Sequence, residues 1–252
     1  MLSRRRSLRI CDTPFYAVIL AEGGYPELRK ENPSSWHDCD SQLSGFLALP
    51  RMTPIQESQR FNLFSLGNPL MEITTVGELL HWSYANLAMA HSAITAKTEK
   101  YGRMQFMIRS RLYAGLNKQA MNIGPLADDD RLKMVLPQAC CYCASRDHLT
   151  VDHLIPTKRG GANTGDNLVW ACRSCNSSKC ARDAIEWLAE RNQFPPLLLL
   201  RRYLKLAIEM SRERNLMNVA LVDAPELPFS LSAIPQTYPS PSQLRLWVVE
   251  IP

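Results

Sequence analysis

The sequence lacks long hydrophobic runs, internal repeats and low-complexity tracts. Its longest apolar runs, at residues 15–21 and 194–200, have seven residues each, and the second contains two prolines. A helix that crosses a bilayer needs about 20 apolar residues, so the sequence predicts no membrane span and no membrane partner. The 252 residues, 46% of them hydrophobic, can bury a core, which excludes a disordered chain and a disulfide mini-protein.

A strong charge of either sign is also lacking. The 29 Lys and Arg residues against 24 Asp and Glu give a net charge of +5, and the sequence pI is about 8.8. This charge permits a polyanionic partner such as DNA but does not require one. Residues 31–95 carry two basic and six acidic side chains, whereas residues 96–129 carry six and three. The second segment is therefore the favoured candidate for a DNA-binding face.

Helical patterns begin only after residue 70. Residues 75–78 have the T-x-x-E form of a capping box and precede apolar residues at helical spacing. A second helix is predicted over residues 103–119, and residues 122–130, with a Gly-Pro pair and three aspartates, predict a linker. On the second helix we expect inward-facing Phe106, Ile108, Leu112, Tyr113 and Leu116, and outward-facing Arg103, Arg109, Arg111 and Lys118.

The C-terminal part predicts two further helices and a tail. Residues 183–186 have the form of a helix cap, and the helix they open runs through Arg191. Two prolines at 195 and 196 precede another helix that runs to about Asn215. Residues 223–252 hold six prolines and include an apolar run at 244–249, which predicts an extended tail with one strand.

Eight cysteines are present, and four of them form two C-x-x-C pairs separated by 28 residues. Paired C-x-x-C units in a chain of this length indicate metal ligands in a reducing compartment rather than disulfides. Four thiolates make up the tetrahedral ligand set of a structural Zn²⁺, which leaves no open position for chemistry. Cys141 has the wrong spacing, and chance clustering of small buried cysteines is the alternative. The predicted zinc ligands are Cys140, Cys143, Cys172 and Cys175.

The first residues resemble a twin-arginine export signal, because residues 3–8 read S-R-R-R-S-L. The apolar stretch that follows is short and comes after Asp12 and Pro14, which argues against export. Together with reduced cysteines, this predicts a cytoplasmic protein whose terminal arginines form a basic arm.

A short strand and a loop are predicted between the two cysteine pairs. Residues 149–156 alternate as L-T-V-D-H-L-I-P and stop at proline. Asp152 and His153 are consecutive, so on a regular strand their side chains point to opposite faces. Two glycines at 160 and 161 predict a loop, residues 167–170 predict a second strand, and residues 176–179 predict the first turns of a helix.

This stretch resembles the HNH endonuclease family. The ββα-metal motif of that family has the pattern C-x-x-C, D-H-hydrophobic-hydrophobic-P, G-G, N-L and C-x-x-C-N-x-x-K. Every element is present in order, over roughly 45 residues from Cys140 to about Ala184. The resemblance implies an α+β fold, in which a mainly helical protein contains a zinc-stabilised ββα-metal module at residues 131–192. Residues 1–130 would then be a mixed and later helical region for DNA or a partner, and residues 193–252 a helix and a proline-rich tail.

The resemblance also implies a role for each matched residue. His153 matches the general base that activates water for attack on a phosphodiester. Asp152 and Asn176 match the ligands of the catalytic divalent cation, and Asn167 matches the residue whose amide holds the loop and the histidine backbone. Because the third letter of the family name falls on Asn176, the sequence is an H-N-N variant.

These residue types suit phosphodiester hydrolysis on chemical grounds as well. Mg²⁺ or Mn²⁺ prefers oxygen ligands and offsets the charge that develops on the phosphate. Imidazole can accept a proton from water near neutral pH. Lys179, Lys158 and Arg159 are predicted phosphate contacts, with solvated surface cations as the alternative reading.

Three functions stay open on the sequence alone. The first is a metal-dependent DNA endonuclease, which the presence of all four matched site residues favours. The second is a non-cleaving, zinc-stabilised DNA-binding or assembly subunit of a larger defence or RNA-guided (CRISPR-type) complex with protein or RNA–protein partners. The 130 unassigned residues ahead of the module keep this second function open. The third is a zinc-ribbon protein that never contacts nucleic acid.

Overall fold

The computed structural model describes residues 72–129 and 136–249. The predicted basic arm and the rest of residues 1–71 lie outside the described residues. The elements with defined bounds are α1 (Val76–Thr95), α2 (Arg103–Asn117), β1 (Leu149–His153), β2 (Leu168–Cys172), α3 (Arg173–Lys179), α4 (Ala184–Glu190) and α5 (Leu197–Glu213). No helix of the described ranges is long and apolar enough to cross a membrane. The predicted α+β class, mainly helical with a small ββα unit, is confirmed.

Helix α1 begins at the predicted capping box and lies at the centre of the helical part. The Thr75 hydroxyl accepts a hydrogen bond from the Glu78 N–H (3.2 Å), and the Glu78 carboxylate accepts one from the Thr75 N–H (3.1 Å). The first two N–H groups of the helix, at Val76 and Gly77, donate to the carbonyls of Val219 and Met217 in the segment after α5. A Cβ on Gly77 would lie 2.6 Å from the Met217 oxygen, so this close approach requires glycine.

The predicted orientation of α2 is wrong at two positions. Phe106, expected inside, is 42% exposed, and the guanidinium of Arg109, expected outside, lies 4.6 Å above the ring of Trp82 on α1. Arg109 also donates to the side-chain oxygen of Asn86 (3.3 Å). An arginine can bury its aliphatic stem while its guanidinium stacks on an aromatic face, and α1 offers both the ring and the acceptor. Arg103, Arg111 and Lys118 are exposed as predicted.

The segment predicted as a linker is attached to α5. Residues 126–129 are helical, and the carboxylate of Asp129 is buried against two cations of α5. Asp129 contacts the Arg201 guanidinium at 2.6 Å and also pairs with the Lys205 ammonium. Lys205 donates in addition to the Pro125 carbonyl (2.9 Å). Ion pairs of this kind fix a segment, so the end of the predicted linker is held in place.

Helices α4 and α5 begin where the sequence predicts. The Asp183 carboxylate accepts hydrogen bonds from the N–H groups of Ile185 (2.9 Å) and Glu186 (3.1 Å) and so caps α4. The strand predicted at 244–249 does not form within this described part of the tail. Its backbone instead caps α5, because the first two N–H groups of that helix, at 197 and 198, donate to the carbonyls of residues 245 and 246 (3.0 and 3.1 Å).

The two strands form an antiparallel hairpin that carries the motif residues. Asp152 pairs with Val169 and His153 with Leu168 in a regular register. Helix α3 follows β2 directly and packs against both strands. The buried side chains that follow β1 belong to one hydrophobic core with those of α4 and α5, including Leu154, Ile155, Trp187, Leu200 and Tyr203. This core fixes the hairpin against the helices.

Candidate functional site

The four cysteines of the two C-x-x-C pairs lie together at one end of the hairpin. Their sulfur atoms all lie within 4.8 Å of one another, and the sulfurs of Cys143 and Cys172 are 3.6 Å apart. Tetrahedral zinc with bonds of about 2.3 Å places its sulfur ligands about 3.8 Å apart. The cluster therefore fits a structural Zn²⁺. The members are Cys140, Cys143, Cys172 and Cys175.

Each pair forms a tight turn that its own backbone stabilises. In the first, the Ala144 N–H donates to the Cys140 carbonyl (2.9 Å), and in the second the Cys175 N–H donates to the Cys172 sulfur (3.4 Å). Burial raises the pKa of the Cys143 and Cys175 thiols, whereas at Cys172 the effect of burial is outweighed by hydrogen bonds from the Cys175 N–H and from neighbouring thiols, which lower its pKa. Zinc binds thiolates, so it displaces the remaining thiol protons, and the free energy of binding is coupled to folding.

Asp152 and His153 leave β1 on opposite faces, as expected for a regular strand. Asp152 is 5% exposed and faces α3, where the Lys179 ammonium lies 3.2 Å from its Oδ1. His153 is partly exposed, and its Nε2 lies 2.9 Å from the side-chain oxygen of Asn163 in the loop between the strands. His153, the proposed base, and Asp152, the proposed metal ligand, are thus consecutive residues whose side chains contact different elements, the loop and α3.

Two side chains from other elements hold the Asp152 carboxylate. The Tyr142 hydroxyl donates to its Oδ2 (2.8 Å), and the Lys179 ammonium contacts Oδ1. Burial raises the pKa of the Asp152 carboxyl, and Lys179 and Tyr142 oppose that rise. Burial also raises the pKa of the Tyr142 phenol far above its ordinary range, so the phenol keeps its proton and acts as the donor.

Lys179 does not occupy the exposed position that a phosphate contact requires. Its side chain is 1% exposed, and its ammonium also donates to the Arg182 carbonyl (3.0 Å). Among the predicted phosphate contacts, Arg159 pairs with the Glu186 carboxylate at 2.9 Å, whereas Lys158 is exposed. The sequence could not distinguish these cases, because burial of Lys179 depends on which face of β1 carries Asp152.

Asn167 joins the loop to the end of β1. Its Oδ1 accepts from the Ile155 N–H (2.9 Å), and its Nδ2 donates to the carbonyls of Ile155 (2.7 Å) and Ala162 (2.8 Å). The side chain is 1% exposed. A Cβ on Gly161 would lie 2.1 Å from the Ile155 oxygen, which explains a glycine there. Asn167 therefore has the loop-holding contacts that the resemblance implies.

Asn176 lies on α3 one turn before Lys179 and faces the same strand. Its Nδ2 donates to the Thr150 hydroxyl (3.1 Å) and to the Val151 carbonyl (3.2 Å). Neither bond uses the amide oxygen. Lys179 of the same helix contacts Asp152 of β1. The Asn176 amide and the Asp152 carboxylate therefore both lie where α3 packs against β1.

The motif residues lie in order on a hairpin and on the helix that follows it, which is the arrangement of the ββα-metal motif. Residues 140–182 match the HNH endonuclease family model. The HNH segment contains both cysteine pairs, both strands and α3, so the match confirms the resemblance found in the sequence. No curated protein and no solved structure matches the chain. An HNH segment supports a nuclease-type or nucleic-acid-binding function in general.

Two residues of the HNH segment make site contacts that the sequence does not predict. Tyr142 stands inside the first C-x-x-C pair, and Asn163 stands in the loop. Their contacts with Asp152 and His153 span ten residues each and depend on the folding of the hairpin. A local pattern contains no sign of either contact.

The oxygen donors of the site fit a hard divalent cation. A carboxylate offers about four lone-pair positions, and the Tyr142 hydroxyl, the Lys179 ammonium and the His153 N–H are the donors to those of Asp152. The amide oxygen of Asn176 adds a second ligand of the kind that Mg²⁺ or Mn²⁺ prefers.

Proposed function

We propose that the chain is a metal-dependent DNA endonuclease that hydrolyses phosphodiester bonds. One observation carries the proposal: Asp152, His153, Asn167 and Asn176 all stand at the motif positions of an HNH segment whose hairpin and helix are formed. Phosphodiester hydrolysis requires a general base and oxygen ligands for a divalent cation, and the HNH segment supplies residues of both kinds.

His153 acts as the general base in this proposal. It stands at the last position of β1, where its ring is partly exposed and can meet a water molecule. The amide oxygen of Asn163 holds one ring nitrogen at 2.9 Å and so restricts rotation of the imidazole. The backbone that follows, at Leu154 and Ile155, is fixed by Asn167 through the Leu154 N–H (2.9 Å) and the Ile155 contacts. These contacts limit the orientations that the imidazole of His153 can adopt.

Asp152 and Asn176 are the residues that would hold the catalytic cation. A Mg²⁺ or Mn²⁺ ion bound there supplies positive charge that offsets the charge on the phosphate in the transition state. The zinc site does no chemistry in this proposal, since its four thiolates fill the coordination shell. Lys158 is the exposed cation of the loop that can contact a phosphate of the DNA partner.

One observation favours the alternative, a non-cleaving DNA-binding or assembly subunit of a larger defence or RNA-guided complex. The Asp152 carboxylate is buried and ion-paired with Lys179, and this pair can be a purely structural feature. In that case the zinc-stabilised unit presents a surface to nucleic acid or to a partner protein and performs no hydrolysis.

A plasmid-nicking assay separates the two functions. The purified chain is incubated with supercoiled DNA and Mg²⁺ or Mn²⁺, with EDTA as the metal-free control. His153→Ala should reduce nicking by about 10²- to 10⁴-fold, as expected for a lost general base, while zinc content and DNA affinity stay unchanged. His148→Asn is the matched control, because His148 is an exposed histidine of the same segment that lies in a turn with positive φ (48°), which asparagine tolerates.

The binding alternative makes the opposite prediction. A wild-type chain that binds DNA with a salt-dependent affinity but does not nick it in either metal would exclude the endonuclease. An equal loss of nicking in His148→Asn and His153→Ala would show that His153 has no special role.

A further inference from the structure

The hydroxyl of Tyr142 connects the zinc cluster to the proposed catalytic carboxylate. Tyr142 is the last residue before Cys143 in the first C-x-x-C pair, and its hydroxyl donates to Asp152 Oδ2 at 2.8 Å. The side chain is buried, and its ring packs edge-on against the ring of Trp187 with centroids 5.1 Å apart. The Cys141 N–H donates to the carbonyl of Trp170 on β2 (2.8 Å) and so ties this turn to the hairpin.

The second oxygen of the carboxylate is held from the other cysteine pair. Lys179, 3.2 Å from Oδ1, is the last residue of α3, and that helix begins at the second C-x-x-C pair and contains Cys175. The two donors that hold Asp152 therefore come from the two segments that the zinc joins. Because both donors are buried, their contacts with the carboxylate act in a region of low dielectric constant and are strong.

We propose that Tyr142 is a positioning residue that holds the Asp152 carboxylate in the orientation required for the catalytic divalent cation. The structural zinc then sets the geometry of the second metal site through Tyr142. The inference rests on the proposed function, since it assigns Asp152 to that metal. Hydrogen bonds to a ligating carboxylate typically contribute 10- to 100-fold to metal affinity or activity.

Loss of the hydroxyl has a defined physical consequence. Without the Tyr142 hydroxyl, the buried carboxylate keeps the Lys179 ammonium and the His153 N–H as partners and can rotate so that both oxygens face the ammonium. The ion pair would then compete directly with the cation for the same lone pairs. Tyr142→Phe removes only the hydroxyl and keeps the ring that packs against Trp187.

The experiment compares Mn²⁺ affinity in zinc-loaded full-length protein by electron paramagnetic resonance of free Mn²⁺. Tyr203→Phe is the matched control, because the Tyr203 hydroxyl also donates at 2.8 Å to a buried carboxylate, that of Asp183, which caps α4. Both variants should keep one zinc, measured by elemental analysis, and should lose a similar amount of thermal stability. Only Tyr142→Phe should weaken Mn²⁺ binding, by about 10- to 100-fold.

A second comparison removes the carboxylate itself. In an Asp152→Asn background, Tyr142→Phe should cause no further loss of Mn²⁺ affinity, since the oriented group is already gone. An unchanged Mn²⁺ affinity in Tyr142→Phe, an equal weakening in Tyr203→Phe, or the absence of a Mn²⁺ site in the wild type would overturn the inference. Mn²⁺ binding by a wild type that does not nick DNA would contradict the endonuclease alone, and the Tyr142→Phe comparison would still decide the positioning role.

Discussion

Removal of the Asn167 side chain should destabilise the HNH segment and slow DNA cleavage together. The side chain makes three hydrogen bonds, one through Oδ1 and two through Nδ2, to the backbone of Ile155 and Ala162, and the two to Ile155 are buried. At about 1 kcal/mol for each bond, Asn167→Ala should lower the free energy of unfolding by about 3 kcal/mol. For a protein of this size, that change corresponds to a fall in Tm of about 6–12 °C.

The effect on cleavage follows from the position of His153. The freed loop is attached two residues after His153, and a displacement of a catalytic group by about 1 Å costs on the order of 10²-fold in rate. Nicking of supercoiled plasmid below the Tm of the variant should therefore fall by about that factor. Asn86→Ala is the matched control, because Asn86 is a buried asparagine of α1 with two side-chain hydrogen bonds away from the hairpin. It should lower the Tm and leave nicking unchanged.

Asn167→Asp is a second test, which introduces a negative charge at nearly unchanged shape. It keeps the acceptor for the Ile155 N–H but places a carboxylate oxygen against the carbonyls of Ile155 and Ala162, where Nδ2 donates in the wild type. This variant should be less stable than Asn167→Ala at neutral pH. If Asn167→Asp were as stable as the wild type by thermal unfolding, the role given to the Nδ2 contacts would be refuted.

Two further predictions concern the zinc site and a buried carboxyl group. Cys143→Ser or Cys172→Ser should lose zinc by elemental analysis and expose residues 140–180 to hydrogen exchange as a unit, since binding and folding are coupled; retention of one zinc per chain would contradict this. Burial raises the pKa of Asp183 to about 6, although the N–H groups of Ile185 and Glu186 and the Tyr203 hydroxyl favour its ionised form. The folded chain therefore binds this proton more tightly than the unfolded chain, where Asp titrates near ~3.9, and the associated stability is lost as the pH rises through about 6. Between pH 5 and 7.5 the wild type should lose about 1.4 kcal/mol relative to Asp183→Asn in urea unfolding, and a difference independent of pH would show that Asp183 is ionised throughout.

Helix starts could be predicted from the sequence because the groups that decide them are close along the chain. Thr75 and Asp183 cap helices through atoms two or three residues away, and the prolines at 195 and 196 precede α5 directly. The zinc ligands follow from spacing in the same way, since each C-x-x-C pair places two sulfurs on one turn. The hairpin was predictable from alternation that ends at Pro156.

Contacts between elements could not be predicted in this way. Arg109 is drawn inward by the ring of Trp82, and Phe106 is left at the surface of the same helix. Lys179 has the spacing of a surface cation on α3, yet the strand opposite presents Asp152 to it and both become buried. In each case the deciding partner lies on another element, at a distance along the sequence that periodicity does not encode.

Hydrogen bonds cross the boundary predicted between the HNH module and the C-terminal helix. Arg202 of α5, outside the matched segment, donates to the carbonyls of Gly165 (2.7 Å) and Asp166, in the turn that ends at Asn167. Asn167 in turn holds Ile155, two residues after His153. Hydrogen bonds to the backbone thus connect α5 to the turn that ends at Asn167, and Asn167 to Ile155, two residues after the proposed general base. Helix α5 is consequently part of the support of the site, although no residue of it belongs to the motif.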